Sequence, residues 1–210
     1  MSFNQRLTSL VYFIFLNLFA SIIYAQVNVG SYYSTFHLPA ASFRTNGIGI
    51  TGEYEPQETS VYYLSLGYFR KRFPVDSTSY LPPGGADPVH VKFTDKYSFL
   101  NISAGFIRYL AGGTRYDTRF GFYLGAGLGV LFRQLRTDYQ TLPSQYEKSK
   151  LTAAGFEFLI GADVKLGFAK LFIRGKMDIM LKHAVDIADD TALPLLTNTQ
   201  AGILVPLMRK

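Results

Sequence analysis

The chain has 210 residues, of which 48% are hydrophobic and 17% charged, with a formal net charge of +6 at pH 7. That length fits a single domain. With no cysteine, a disulfide framework, a thiolate nucleophile and a zinc-thiolate site are all excluded.

At the amino terminus Arg6 precedes an apolar run from about Leu10 to Ile23, which ends at Tyr24, Ala25 and Gln26. This pattern reads as a secretory signal cleaved after Ala25, so residues 1–25 are a signal peptide and 26–210 the exported domain. An uncleaved anchor is the alternative, because Leu7 to Ala25 approaches the roughly 20 residues of a spanning helix. Asn17 interrupts that run, and a strand candidate starts at Val27 without a spacer.

Eight stretches of apolar alternation follow, at 27–37, 46–55, 60–73, 97–110, 118–132, 152–166, 170–182 and 197–208. The connections 56–59, 111–117 and 167–169 are short, whereas 38–45, 74–96, 133–151 and 183–196 are mostly long. Short turns at one end and long loops at the other predict an all-β fold: an eight-stranded antiparallel up-and-down transmembrane barrel, with periplasmic turns and extracellular loops.

Successive side chains of a strand point to opposite faces, so each strand states what its two faces meet. In the fifth strand Phe120, Phe122, Leu124, Ala126, Leu128, Val130 and Phe132 share one face, and Gly121, Tyr123, Gly125, Gly127 and Gly129 the other. In the sixth and seventh, Phe156, Phe158, Ile160, Leu171, Ile173 and Met177 oppose Glu157, Asp163, Lys165, Arg174, Lys176 and Asp178. A cation at the bilayer midplane costs about 2–4 kcal/mol. The Phe and Leu face is therefore the lipid face, and those six charged residues form a lumen polar network. An eight-stranded barrel is only wide enough inside for side chains, so a closed, salt-bridged lumen is expected. The fifth-strand glycines would leave space there for long Arg and Lys side chains. Aromatic richness, with 15 Tyr and 18 Phe, suits interfacial girdles.

In this rhythm, in the signal ending Tyr24, Ala25 and Gln26, and in blocks such as Phe122 to Val130, the chain resembles the small eight-stranded outer-membrane barrels of the OmpA-like and PorT-like kind. The resemblance spans Val27 to Met208 and implies an integral protein of the bacterial outer membrane. Many such barrels end in an aromatic residue that assists their assembly, whereas this sequence ends Leu207, Met208, Arg209, Lys210. Pro206 predicts a short or irregular last strand.

Cations gather where the extracellular rim is expected: Lys71, Arg72, Lys92, Lys96, Arg133, Arg136, Lys148, Lys150 and Lys182. Such a rim suits the phosphates of lipopolysaccharide, because charge-assisted hydrogen bonds to phosphate are strong. Solvated loop ends are the plainer alternative. The segments from Arg70 to Phe73 and from Arg133 to Lys150, which combine cations with aromatic rings, are the preferred contacts for an envelope partner. Nucleic acid is not expected as a partner of an exported chain.

Other motifs carry less. Gly125, Gly127 and Gly129 lie within a strand and lack dinucleotide-fingerprint spacing, so no cofactor is expected. Asn101, Ile102 and Ser103 match a glycosylation acceptor at a lumen-facing position, and Leu81 to Gly85 is a turn cluster.

Two other function classes stay open. His37, His90 and His183 map to the extracellular end with Ser34, Asp87, Asp95, Asp186, Asp189 and Asp190, the residue types of a barrel that modifies lipids. No local motif joins them, and a non-catalytic structural, adhesion or assembly role is the primary expectation. A soluble exported barrel of the lipocalin kind would turn the apolar faces inward around an apolar ligand.

Overall fold

A computed structural model of the chain describes residues 26–39, 43–80, 89–114, 118–139, 146–181 and 195–207, with the side chains of 75–80, 89–91 and 146–147 excepted. The expected signal peptide lies outside these residues. Eight strands run in chain order: β1 (Gln26–Leu38), β2 (Phe43–Gln57), β3 (Ser60–Tyr80), β4 (Val89–Ala111), β5 (Phe120–Tyr139), β6 (Tyr146–Lys165), β7 (Lys170–Met180) and β8 (Leu195–Pro206). Each pairs antiparallel with its chain neighbour, and β1 pairs with β8, from Asn28↔Pro206 to His37↔Thr197, to close the barrel. Closure leaves no sheet edge in the lipid, where an unpaired backbone group costs several kcal/mol.

The closing seam depends on a close backbone approach. A Cβ on Gly30 of β1 would stand 1.8 Å from the carbonyl oxygen of Ile203 on β8. Gly112 and Gly167 take positive φ, 76° and 79°, in the turns that follow β4 and β6, a conformation that glycine adopts without steric cost. These tight connections and the described chain ends share one end of the barrel, where the Leu207 amide bonds the Val27 carbonyl at 2.8 Å. Short turns mark this end as periplasmic.

The expected faces are the observed ones. Ile48, Leu64, Leu128 and Ile160 point outward and are 60 to 67% exposed, whereas Glu157, Lys170 and Arg174 point inward and are at most 2% exposed. An exposed belt of this composition around a charged interior is a membrane-spanning barrel; the inside-out, lipocalin-like arrangement is excluded by the same burial. Tyr54 stacks on Tyr62, with centroids 6.3 Å apart, and Tyr62 packs on Phe106 at 5.6 Å near the periplasmic rim.

Four strands outrun the expected boundaries. β3 to β6 continue as a paired sheet through Arg72↔Lys96, Lys96↔Arg136 and Arg136↔Lys148, where loops were expected. The chain keeps its two-residue period there but exchanges chemistries. On β3, outward Tyr62, Leu64, Leu66 and Tyr68 give way to Arg70 and Arg72, while inward Ser65 and Gly67 give way to Phe69 and Phe73. Above the belt the sheet faces water, so it takes the apolar-in, polar-out pattern of a soluble sheet. At the other end of the chain, β8 is regular to its last residue. Pro206 ends the strand, a position where a missing amide is tolerated, and does not disturb it.

Candidate functional site

All six expected lumen residues are buried inside the barrel, and partners in the network that holds them, among them Asn28, Glu53, Glu55, Tyr63, Ser103, Tyr109 and Tyr123, lie outside β6 and β7. From the periplasmic end, Lys170 donates to Glu55 at 2.6 Å and Glu53 at 3.1 Å, and Asn28 donates to Glu55 at 2.6 Å. Arg174 bonds Glu53 and, through Nε, the Tyr123 hydroxyl at 3.1 Å. Tyr109 donates to Asp163, and Lys165 lies 3.7 Å from the same carboxylate while donating to Thr118 at 3.0 Å. Higher, Lys176 meets Glu157 at 2.5 Å and Ser103 at 2.9 Å, and Tyr63 donates to Glu157 at 2.5 Å. Glu53 and Glu55 share the inward parity of β2, a signal the sequence contains. Pairing them with β7 required the barrel to be closed.

The fifth-strand glycines were expected to make room for Arg and Lys, but Gly121 and Gly127 make room for tyrosines and Gly125 for Leu159, while Gly129 has open space beside Glu157 and Asp178. A Cβ on Gly127 or Gly105 would come within 2.6 Å of the Tyr63 hydroxyl, and one on Gly121 within 2.5 Å of the Tyr109 ring. Above the ion pairs an apolar layer fills the barrel. Phe36, Phe69, Phe99, Leu131, Met180 and Leu196 are buried there, with Phe36 5.0 Å from Phe69 and 5.3 Å from Phe99. The closed lumen is thus polar in its lower part and aromatic toward the outside.

The outer rim is sorted by strand parity. Arg72, Lys96, Arg136 and Lys148 form one cross-strand row on the outer face of the β3–β6 extension. Arg70 and Lys150 belong to the row below, with Ser98 and Gln134 between them. Lys92 is exposed further along β4. Like charges directly opposite one another are destabilising, and Asp138, outside the membrane, offsets part of this row. It accepts from Arg136 at 2.5 Å and from Lys96, and these two hydrogen bonds hold its carboxyl below the ordinary aspartate value.

Two expected rim cations point the other way. Arg133 has the inward parity of β5 and is buried, opposite Phe99 and Leu151. Lys71 turns inward as well, its ammonium 4.5 Å from the Phe73 ring centroid and 5.1 Å from that of Phe43, donating to the Arg44 carbonyl at 2.5 Å. The expected contact from Arg70 to Phe73 is therefore split between faces, because a strand cannot present consecutive residues to one side. Lys182 lies outside the described residues.

The lipid-modifying constellation does not assemble from its described members. Ser34 faces the lumen and bonds Asn198, whereas His37 faces outward beside Arg44 and Thr197, and Asp95 accepts from Thr137 at 2.6 Å. His183, Asp87, Asp186, Asp189, Asp190 and the His90 side chain lie outside the described residues.

No protein-family model matches the chain, and no curated protein matches it significantly in sequence. Solved structures do match. Ail, the attachment invasion locus protein of Yersinia pestis, aligns over 87% of this chain and 97% of its own, with a TM-score of 0.51 and 11% identity, in a complex with the heparin analogue sucrose octasulfate. A second Ail structure gives 0.50 at 9% identity with the same coverage. This is the fold of the small outer-membrane β-barrels. Neisserial surface protein A also aligns, over 86% of this chain and 96% of its own, at a TM-score of 0.49 and 16% identity.

Proposed function

We propose that this protein is an integral barrel of the bacterial outer membrane with a non-catalytic structural and adhesive role, and that the cationic outer face of β3–β6 binds the phosphates of lipopolysaccharide. One observation carries this reading: Arg72, Lys96, Arg136 and Lys148 stand directly opposite one another on four adjacent strands. Four cations at strand spacing concentrate positive charge on one face, with Asp138 as a partner of Lys96 and Arg136, and phosphates accept strong charge-assisted bonds from Arg and Lys. The extended hairpins lift this row above the apolar belt, to the level of headgroups and sugars. The fold shared with Ail, whose structure holds a polysulfated sugar analogue, is in keeping with an anion-binding outer surface.

The test uses the purified barrel with Arg72, Lys96, Arg136 and Lys148 all replaced by Gln. The probes are lipopolysaccharide and its deacylated, phosphorylated oligosaccharide. Binding of the oligosaccharide is expected to fall at least tenfold and to lose most of its salt dependence; unchanged binding overturns the reading. Carbonate extraction of cell envelopes, with electrophoresis of the pellet before and after boiling, tests the location. Retention with a heat-modifiable band is expected, and release as a soluble species would refute it.

A further inference from the structure

Just below the cationic row the outer wall is notched. Ser98 faces outward on β4, directly opposite Arg70 on β3 and Gln134 on β5, and Gln134 in turn faces Lys150 on β6. A serine among longer side chains opens a cleft of about 280 Å³, whose lining includes Tyr68, Ser98, Leu100, Phe132, Gln134 and Lys150. One register step toward the membrane, Tyr68, Leu100 and Phe132 are themselves directly opposite one another and form the top of the lipid-facing belt. The cleft thus has an apolar floor and a polar upper border at which Lys150 is a lining cation, with Arg70 on the same cross-strand row.

We infer that this cleft is a binding site for a bisphosphorylated, multiply acylated lipid of the outer leaflet, with an acyl chain against Tyr68, Leu100 and Phe132 and its phosphates toward Arg70 and Lys150. The inference deepens the reading above and rests on it. A soluble anion would leave the apolar floor unused, and an uncharged lipid would leave the cations unused. Arg70 and Lys150 stand three strand spacings apart, roughly 14 Å at the backbone, so a headgroup with two phosphates reaches both and one phosphate reaches a single cation. The volume is at the low end of ligand pockets, which run from about 300 Å³. It therefore takes the upper part of one chain and the adjoining headgroup, while the remaining chains stay in the bilayer. At the hydrocarbon boundary the lower effective dielectric strengthens each cation–phosphate pair relative to water.

Native mass spectrometry of the full chain in detergent tests this, with bisphosphorylated lipid A, monophosphorylated lipid A and phosphatidylcholine as probes. Bisphosphorylated lipid A is expected to be retained at least tenfold over phosphatidylcholine. Ser98→Phe, which fills the notch without changing charge, is expected to abolish that preference, and Lys150→Ala to reduce it to the level of the monophosphorylated lipid. Each variant is compared only where its unboiled compact band matches that of the parent. Equal retention of lipid A and phosphatidylcholine, or undiminished retention by a folded Ser98→Phe, overturns the inference. Failure of the cationic row is separable, because it appears with the deacylated oligosaccharide, a ligand that Ser98→Phe leaves unaffected.

Discussion

Lys96 on β4 and Arg136 on β5 are directly opposed, and both donate to a single carboxylate, that of Asp138, two residues beyond Arg136. An internal acid therefore occupies two of the four cations in the row. It is the built-in competitor of any anion that binds there.

Replacing Asp138 by Asn is expected to raise the affinity for a polysulfated oligosaccharide several-fold, measured by calorimetry at low salt. The pH dependence follows from the sign of the shift. Asp138 is held below its ordinary value of 3.8, so its grip on Lys96 and Arg136 is complete above that value and is lost only as pH falls through the lower, folded-state value. Sulfate stays ionised in that range. Affinity of the parent should thus show no pH dependence from Asp138 between pH 7 and 5 and should rise only as pH falls through the lowered value, whereas Asp138→Asn shows no rise. A rise in both would assign the effect to another group.

Lys176 meets Glu157 at 2.5 Å inside the barrel. Lys176→Leu leaves a buried carboxylate without its partner, which costs about 3–5 kcal/mol, read from urea unfolding in lipid vesicles. Glu157→Leu should cost a similar amount, and the double substitution less than the sum of the two.

Asp178 is a contrasting case in the same layer. It lies directly opposite Glu157, another acid, and no donor among the described residues reaches good hydrogen-bond geometry with its carboxylate, although Lys176 and Asn101 are close enough to act on it. Asp178→Asn is therefore expected to leave stability unchanged or to increase it. A loss of more than about 1 kcal/mol, the scale of one net hydrogen bond, would show that this carboxylate carries a favourable interaction.

Phe158 is 47% exposed on the lipid face of β6. Phe158→Arg places a cation in hydrocarbon at a cost of about 2–4 kcal/mol, so the fraction of heat-modifiable, vesicle-inserted protein should drop. Gln134→Arg, above the belt, should insert normally.

The atoms nearest a Cβ at Gly121 would belong to side chains, the Tyr109 ring at 2.5 Å and Asp163 at 2.7 Å. Gly121→Val is expected to destabilise the barrel by about 1–3 kcal/mol through overpacking. Combining it with Tyr109→Leu, which removes the ring, should recover part of that loss. No recovery would indicate that the backbone of β5 is what requires glycine there.

The period of alternation, the charges of β6 and β7 and the asymmetry of the connections were enough to read eight strands, the lipid face and six lumen charges. One lipid-facing side permits only one orientation of each strand, and that constraint is local. What the sequence left undetermined depended on neighbours. Glu53 and Glu55 became partners of Lys170 and Arg174 only when closure brought β2 across from β7, and the lumen glycines could be matched to Tyr63 and Tyr109 only across strands. The β3–β6 extension was missed because its hydrophobic pattern reverses sides where water replaces lipid, although its period of two continues. The same parity decided the rim: adjacent residues such as Lys71 and Arg72 must face opposite sides, and register alone aligns Arg72, Lys96, Arg136 and Lys148. Solvent contact on one face is written into each strand, whereas the pairing of charges is a property of the ladder between strands.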